Sequence, residues 1–203
     1  MVSKKEIPCE KLEREIIDFL LAMATHPGGA CTKPGCNLKH GSACVLGTCH
    51  DNVPRTTPVD FFCDGSLTLW IAAEPGGKIA NIMRNPNVSV SVYEKVNHDI
   101  EQKSMQLWGT AQLINLKNNP REFTKRLQSF GLADALEGIL VDMFNRGVFP
   151  EDQRNDISEK VQKKFNLIKI TPIKIILLHM RPGTTPEKKY WENGKAFLQI
   201  GLV

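Results

Sequence analysis

Two basic residues in the first half of the sequence have the chemistry to bind a phosphate group. Arg55 precedes Thr56 and Thr57 in a stretch with strand character, and Lys78 follows a pair of glycines where a helix is expected to begin. A guanidinium, two hydroxyls, an ammonium and the N–H groups of a helix start together suit a phosphate. The same residue types are also common elsewhere, because Arg and Lys are usually solvated and Thr is frequent in strands. The spacing alone leaves both interpretations open.

These residues can meet only if the chain between them folds back on itself as strands. Alternating apolar residues and turn signals such as Asp64-Gly65 predict antiparallel strands in this region. A hairpin there would place Arg55 and the helix start of Lys78 at one end of a sheet. The predicted strands are residues 43–49, 55–62, 67–73, 88–93 and 104–114.

Helices are expected on both sides of these strands. Residues 10–25 carry apolar residues at helical spacing, and a helical excursion is predicted to begin near Pro120. Two β-rich pieces bent at Pro172 follow, and then a polar tail from Arg181. Five or six antiparallel strands favour a closed or nearly closed barrel, because closure removes exposed edges. We predict one mainly β (α+β) domain over residues 1–203, made of an N-terminal helix and cysteine-containing loop (1–42), a barrel core (43–114), a helical insert (115–165) and closing strands with a tail (166–203).

A cluster of cysteines between the first helix and the first strand could bind a metal. Cys31, Cys36, Cys44 and Cys49 lie near His40, and thiolates with imidazole can hold zinc or an iron–sulfur cluster. Cys44 and Cys49 lie five positions apart in a predicted strand, so they face opposite sides of the sheet. The candidate ligands are therefore Cys31, Cys36 and His40, with one of Cys44 or Cys49, of which we choose Cys44, as the fourth. Ordinary buried cysteines, or a redox-active thiol pair, are the alternatives.

The overall composition argues against several classes of partner. The chain of 203 residues has a net charge of only +4, with both signs interspersed, which does not favour nucleic acid. The apolar runs are too short or too interrupted to span a bilayer. The N-terminus lacks the pattern of an export signal, so we expect a cytoplasmic protein with mostly reduced cysteines.

Several motifs, in order, resemble the pyridoxamine 5′-phosphate oxidase-related family of FMN-binding split barrels. Together they cover over half of the chain, and their order makes the set more specific than any single motif. The matching pieces are PRTTPV at 54–59, LTLWIA at 67–72, GK at 77–78, NPNVS at 85–89, LWGTAQLI at 107–114 and LIKITPIKIILLHMRPG at 167–183.

The resemblance implies a six-stranded antiparallel Greek-key split β-barrel that binds FMN at a homodimer interface. It places Arg55 and Lys78, with Gly77 beside them, on the FMN phosphate. It assigns a polar contact to the flavin ring to either Ser104 or Gln106. The residues expected to line the isoalloxazine are Thr56, Thr57, Pro58, Ile71 and Ala72.

The function implied is that of an FMN-dependent oxidoreductase acting on a small-molecule substrate or electron donor. The vitamin-B6 oxidases of the family often carry Lys where Asp60 stands, and an Arg-Lys pair where Gly77-Lys78 stands. We therefore do not expect pyridoxamine phosphate to be the substrate. The alternative from another class is a non-catalytic module that holds FMN or haem and senses redox state.

Overall fold

The described residues of the computed structural model are 3–24, 43–93 and 101–200, and they form five α-helices and ten β-strands. The helices are α1 (Cys9–Met23), α2 (Gly77–Arg84), α3 (Pro120–Ser129), α4 (Leu132–Asn145) and α5 (Arg154–Lys164). The strands are β1 (Ser3–Glu6), β2 (Ala43–His50), β3 (Val53–Asp60), β4 (Phe62–Cys63), β5 (Leu69–Ala73), β6 (Asn87–Tyr93), β7 (Gln102–Ile114), β8 (Asn166–Met180), β9 (Glu187–Glu192) and β10 (Lys195–Ile200).

The barrel is formed by an antiparallel ladder that does not close. The ladder runs from β3 through β2, β6, β7 and β8 to β5. β4 pairs with β5 and follows β3 with only Phe61 between them, so β3 and β4 act as one interrupted barrel strand. No ladder joins β3 to β5 among the described residues, which leaves the barrel split at that point. The predicted split-barrel fold is confirmed.

The sheet extends beyond the barrel because β8 is long enough to pair with several strands. One edge of β8 pairs with β7 along nearly its whole length, and the other edge pairs first with β5 and then with β9. β10 and β1 continue the sheet from β9. Six strands is therefore the right number for the barrel but too few for the sheet. The segment predicted as a polar tail from Arg181 instead forms the β9–β10 hairpin.

The predicted break at Pro172 is a bulge within one continuous strand. Trp108 pairs with Lys174 while Gly109 pairs with Pro172, so Ile173 is the extra residue. A side chain at position 109 would have its Cβ 2.3 Å from the Thr171 carbonyl oxygen. Glycine at this position lets β7 and β8 approach closely at the bulge.

The turn between β2 and β3 has the expected residues. Asp51 and Asn52 both lie in the left-handed region, with φ angles of 50° and 61°. This is the type I′ geometry that matches the twist of a two-residue hairpin. The turn fixes the register in which Thr48 stands opposite Arg55.

Two sets of helices cover the barrel. On α1 the buried residues Leu12, Ile16, Phe19 and Leu20 belong to the main core inside the barrel. The helical insert α3–α5 covers the outer face of β5, where Trp70 packs with Phe130 and Phe123 in a second cluster. Among the described residues, no helix combines the length and the apolar character needed to cross a membrane.

Candidate functional site

The position of α2 over the sheet is fixed by side chains of the strand beneath it. Asn81 donates from Nδ2 to Thr48 Oγ1 at 3.1 Å, and Asn85 donates from Nδ2 to the Cys49 carbonyl at 3.0 Å. Ile79 on the same helix is buried in the barrel core. These contacts attach both the middle and the end of α2 to β2.

Arg55 is brought to the start of this helix by the pairing of β3 with β2. It stands directly opposite Thr48, and side chains opposite one another in an antiparallel pair project from the same face. A Cβ at Gly77 would lie 2.4 Å from Arg55 Nη1 and 2.8 Å from its Cζ. The guanidinium of β3 therefore lies against the first residue of α2, in space that only glycine leaves free.

This juxtaposition concentrates positive potential at one point. The first N–H groups of a helix lack partners within the helix, and Gly76 supplies no side-chain cap to α2. Lys78 is half-buried in the first turn, and Arg55 is exposed. Among the described residues, neither cation forms an ion pair with a carboxylate. Two charges without carboxylate partners and a helix N-terminus form an arrangement suited to a phosphate.

The split in the barrel lies beside this cationic cluster. β5 pairs with β8 through Leu69–Ala73, but β4 reaches only Leu69 and Trp70 on the other edge. Within the described residues, the remaining edge of β5 and the outer edge of β3 carry no ladder. Backbone N–H and C=O groups that lack ladder partners can bind a planar ligand with a polar rim.

The residues expected to line a ring differ in where their side chains point. Thr57 lies on the same face as Arg55 and is half-buried, whereas Thr56 and Pro58 are exposed on the opposite face. Ile71 is fully buried in the barrel core, so only its backbone can reach a ligand. Ala72 points outward and packs against the second cluster under the insert.

Ser104 and Gln106 are not brought to the cationic cluster within one chain. Gln106 pairs with Ser91, Ser91 with Val45, and Val45 with Pro58. Three inter-strand steps separate Gln106 from β3, which is about 14 Å across the sheet. Their assignment to the ring stays a prediction that needs a second copy of the chain.

The predicted metal site falls largely outside the described residues. Cys31, Cys36 and His40 belong to the segment 25–42, which is not among them. Cys44 is buried in the barrel core, and burial raises the pKa of its thiol to about 12, so this sulfur is protonated at neutral pH. Within the described ranges, no group of three His, Cys, Asp or Glu residues could hold a metal ion.

Thr48, Asn81 and Asn85 are the residues of the site that sequence reasoning missed. They act by fixing the middle and the end of α2 on β2, and this position of the helix places its start beside Arg55. Asn85 precedes Pro86, a pair that favours the end of a helix, but nothing in the sequence linked either asparagine to β2.

Comparisons with known proteins agree with this architecture. A family model described as pyridoxamine 5′-phosphate oxidase matches residues 37–179. A pyridoxamine 5′-phosphate oxidase-related, FMN-binding protein from Nostoc punctiforme has a similar fold, with 15% identity over 79% of this chain and 86% of that one and a TM-score of 0.53. No curated protein matches the sequence.

Two further solved structures resemble the chain less closely in shape. An FAD-binding protein from Mesorhizobium loti has 11% identity, covers 99% of this chain and 100% of its own, and has a TM-score of 0.49. General Stress Protein 26 from Bacillus anthracis has 18% identity, with coverage of 83% and 97% and a TM-score of 0.45.

Proposed function

The chain belongs to the pyridoxamine 5′-phosphate oxidase family, and from this premise we propose that it binds FMN and acts as an FMN-dependent oxidoreductase. The observation that carries the proposal is the approach of Arg55 to Gly77 at the start of α2. The guanidinium, the Lys78 ammonium and the first N–H groups of α2 form a cradle for the FMN phosphate. A phosphate in this cradle fixes one end of the cofactor.

The split between β3 and β5 is the proposed place for the ring. Backbone groups of Thr56, Thr57, Ile71 and Ala72 along the two unpaired edges would hold its polar rim, with the Thr57 hydroxyl on the same face as Arg55. Bound FMN supplies the redox chemistry, and the protein binds and orients it. The substrate we propose is a small molecule other than pyridoxamine phosphate, because Asp60 and Gly77 stand where the vitamin-B6 oxidases often have basic residues.

We propose that the flavin site is completed by a second copy of the chain. The outer face of β6 and β7 exposes Trp108 (41%) opposite Ser89 and Tyr93 (52%) opposite Ser104. Exposed aromatic residues on a flat sheet favour association. Such a dimer would bring the partner copy's Ser104 and Gln106 face towards the ring.

The dimer is tested by sedimentation velocity on the wild type and on Trp108→Glu. We expect a wild-type dimer and a variant that sediments mainly as a monomer, because a buried unpaired carboxylate opposes association. Lys117→Glu, on an exposed turn after β7, is the control and should remain dimeric. The proposed dimer is wrong if the wild type sediments as a monomer at protein and FMN concentrations at which its flavin site is saturated.

The phosphate cradle is tested by Arg55→Ala and Lys78→Ala. Each loses a charge-assisted contact of about 1.5–3 kcal/mol, so the dissociation constant for FMN should rise about 10- to 100-fold. Arg84→Ala is the matched control, since Arg84 is an exposed cation about 10 Å further along α2. Quenching of FMN fluorescence during titration measures the dissociation constant for FMN in each of the three variants.

The FMN-loaded wild type also distinguishes an enzyme from a protein that only binds flavin. Anaerobic addition of a nicotinamide donor should bleach the flavin absorbance of the enzyme, and an acceptor should restore it. Binding without bleaching by any donor tested would leave FMN storage or sensing as the function. Unchanged FMN affinity in both the Arg55 and the Lys78 variants would place the phosphate elsewhere.

A further inference from the structure

The split between β3 and β5 begins beside Trp70. This residue is the last of β5 that pairs with β4, and among the described residues the edge of β5 is free from Ile71 onward. Two ion pairs of α3 meet at this point, one with the β4–β5 hairpin and one with β8. We propose that the pair between Arg126 and Asp64 positions the flavin ring, because it fixes the place from which the split opens. This inference rests on the proposed function, which puts the ring in the split.

The Asp64 carboxylate, in the loop between β4 and β5, uses its two oxygens for different partners. Oδ1 accepts hydrogen bonds from the Ser66 N–H at 3.2 Å and from the Ser66 hydroxyl at 2.6 Å. Oδ2 accepts a hydrogen bond from Trp70 Nε1 at 3.3 Å and lies 2.7 Å from Nη2 of Arg126. One carboxylate therefore connects the loop, the indole at the start of the split and the helical insert.

The second ion pair of α3 reaches the strand on the paired edge of β5. Glu122 lies 3.1 Å from Nζ of Lys169 on β8, and Lys169 stands opposite Trp70 in the β5–β8 ladder. The Lys169 ammonium lies 5.2 Å from the centroid of the Trp70 ring, and the Arg126 guanidinium lies 4.6 Å from it. Both distances are within the range of cation–π contacts. One helix thus holds both neighbours of β5 at the residue where the split begins.

The chemistry of the Arg126–Asp64 pair favours positioning over simple packing. The two side chains are only 19% and 13% exposed, and Nε of Arg126 is buried with no hydrogen-bond partner among the described residues. Withdrawing charges from water and leaving an N–H unpaired both cost free energy, and apolar residues of similar volume often pack equally well. The ion pair adds a fixed geometry, because the guanidinium fork and the carboxylate oxygens meet in a defined orientation.

The distance between β3 and the free edge of β5 depends on how the β4–β5 hairpin is held. β3 enters β4 through Phe61 alone, and within the described residues no ladder joins β3 to β5. A shift of the hairpin therefore changes the width of the split directly. A ligand binds less tightly to a protein that has the competent geometry only part of the time. Loss of the ion pair should weaken binding of the ring, whereas loss of Arg55 should weaken binding of the phosphate.

Titration of Arg126→Met with riboflavin and with FMN, followed by flavin fluorescence, tests the proposal. We expect both dissociation constants to rise by the same factor, at least about fivefold, because the two ligands share the ring. Asp64→Asn removes the ion pair from its other side and should give the same result. Arg126→Lys keeps the charge and should restore most of the affinity for both ligands.

The visible circular dichroism of bound FMN provides a second readout, because it reports the asymmetry of the surroundings of the ring. This spectrum should change in Arg126→Met and in Asp64→Asn when each variant is saturated with FMN. Far-ultraviolet circular dichroism verifies that each variant is folded at the temperature of the titration.

Lys189→Met is the matched control. Lys189 on β9 forms an ion pair of the same kind between the sheet and a helix, 2.7 Å from Glu15 of α1, and these side chains are 19% and 23% exposed. Its strand lies outside the barrel, so its loss should lower the stability of the fold without moving the β4–β5 hairpin. We expect both dissociation constants and the visible spectrum of this variant to match those of the wild type.

The proposal is overturned if folded Arg126→Met or Asp64→Asn binds riboflavin as tightly as the wild type does. A loss confined to FMN also overturns it, because the ion pair would then act on the phosphate. An equal loss in Lys189→Met overturns it as well, since the effect would follow stability and not the position of the hairpin. A wild type that binds neither flavin is a different result, which refutes the proposed function and this inference with it.

Discussion

At the scale of single residues, Gly77 allows the strand arginine and the helix start to share one site. Its missing side chain leaves the space that the Arg55 guanidinium occupies. The atoms in the way of a Cβ are the far end of a flexible side chain, not backbone. A methyl group at this position would therefore displace Arg55 without disturbing the fold.

The variant Gly77→Ala distinguishes the effect of residue 77 on FMN binding from its effect on the stability of the fold. The melting temperature should stay the same or rise slightly, because alanine is a better helix former than glycine. FMN affinity should fall about tenfold as the guanidinium moves away from the phosphate. Gly76→Ala is the comparison, since a Cβ there meets nothing within 4 Å, and we expect a smaller loss of affinity. Equal FMN affinity in Gly77→Ala and the wild type would show that Arg55 does not need the space beside residue 77 in order to contribute to FMN binding.

The sequence predicted the residues of the cationic cluster better than their surroundings. Arg55 and Lys78 could be placed together because a hairpin between them restricts the possible topologies. Ile71 is buried in the core together with Leu69 and Ala73 of β5, whereas the resemblance placed it at the ring without regard to the direction of its side chain. The bond from Asn81 to Thr48 joins residues 33 positions apart, and neither residue type is rare enough to predict it.

At the scale of elements, one ion pair connects the helical insert to the hairpin beside the split. Arg126 of α3 lies 2.7 Å from the Asp64 carboxylate, and its guanidinium lies 4.6 Å from the centroid of the Trp70 ring. Trp70 donates from Nε1 to the same carboxylate at 3.3 Å. Burial alone would raise the pKa of Asp64, but hydrogen bonds from Ser66 and the charge of Arg126 outweigh it and lower the pKa.

Arg126→Met should destabilise the fold by about 1.5–3 kcal/mol, because it leaves Asp64 without its cation in a largely buried position. The lowered pKa stabilises the folded state above the unfolded value of about 3.9, and this contribution is lost as the pH falls through the folded value. The difference between wild type and variant should therefore shrink below about pH 4. Denaturant unfolding of both proteins at pH 7 and pH 3 measures this difference in the free energy of unfolding.

Arg121→Met is the control for this prediction, because Arg121 is an exposed residue on the same helix. This substitution should change the free energy of unfolding little at pH 7 or at pH 3. A destabilisation by Arg126→Met that is the same at pH 7 and pH 3 would mean that the side chain acts by packing on Trp70 and not through the Asp64 charge.

Two of the elements that sequence analysis missed are rich in charge. β1 reads Ser-Lys-Lys-Glu and β9 begins Glu-Lys-Lys, which is typical of solvated segments and of protected sheet edges. The barrel strands, with their alternating Val, Leu and Ile, were found because their pattern reflects burial on one face. Pro172 predicted a break, and the pairing with Gly109 turned that break into a bulge.

At the scale of the whole molecule, the sheet brings together residues from opposite ends of the chain. Ser3 pairs with Ile200 across β1 and β10. α1 is held over this region by Trp191, which donates from Nε1 to Glu13 at 2.7 Å, and by Lys189, which lies 2.7 Å from Glu15. Pairings over such separations leave no local signal in the sequence. The barrel could be predicted from hairpins, and its extension could not.

The cationic cluster at the mouth of the split is the feature on which the flavin assignment depends. Riboflavin carries the same ring as FMN but no phosphate, so comparing the two ligands on the wild type isolates the contribution of Arg55 and Lys78. We expect FMN to bind at least about 100-fold more tightly than riboflavin, which corresponds to roughly 2.8 kcal/mol. The difference should largely vanish in the double variant Arg55→Ala/Lys78→Ala. Equal affinities of the wild type for FMN and riboflavin would contradict the assignment.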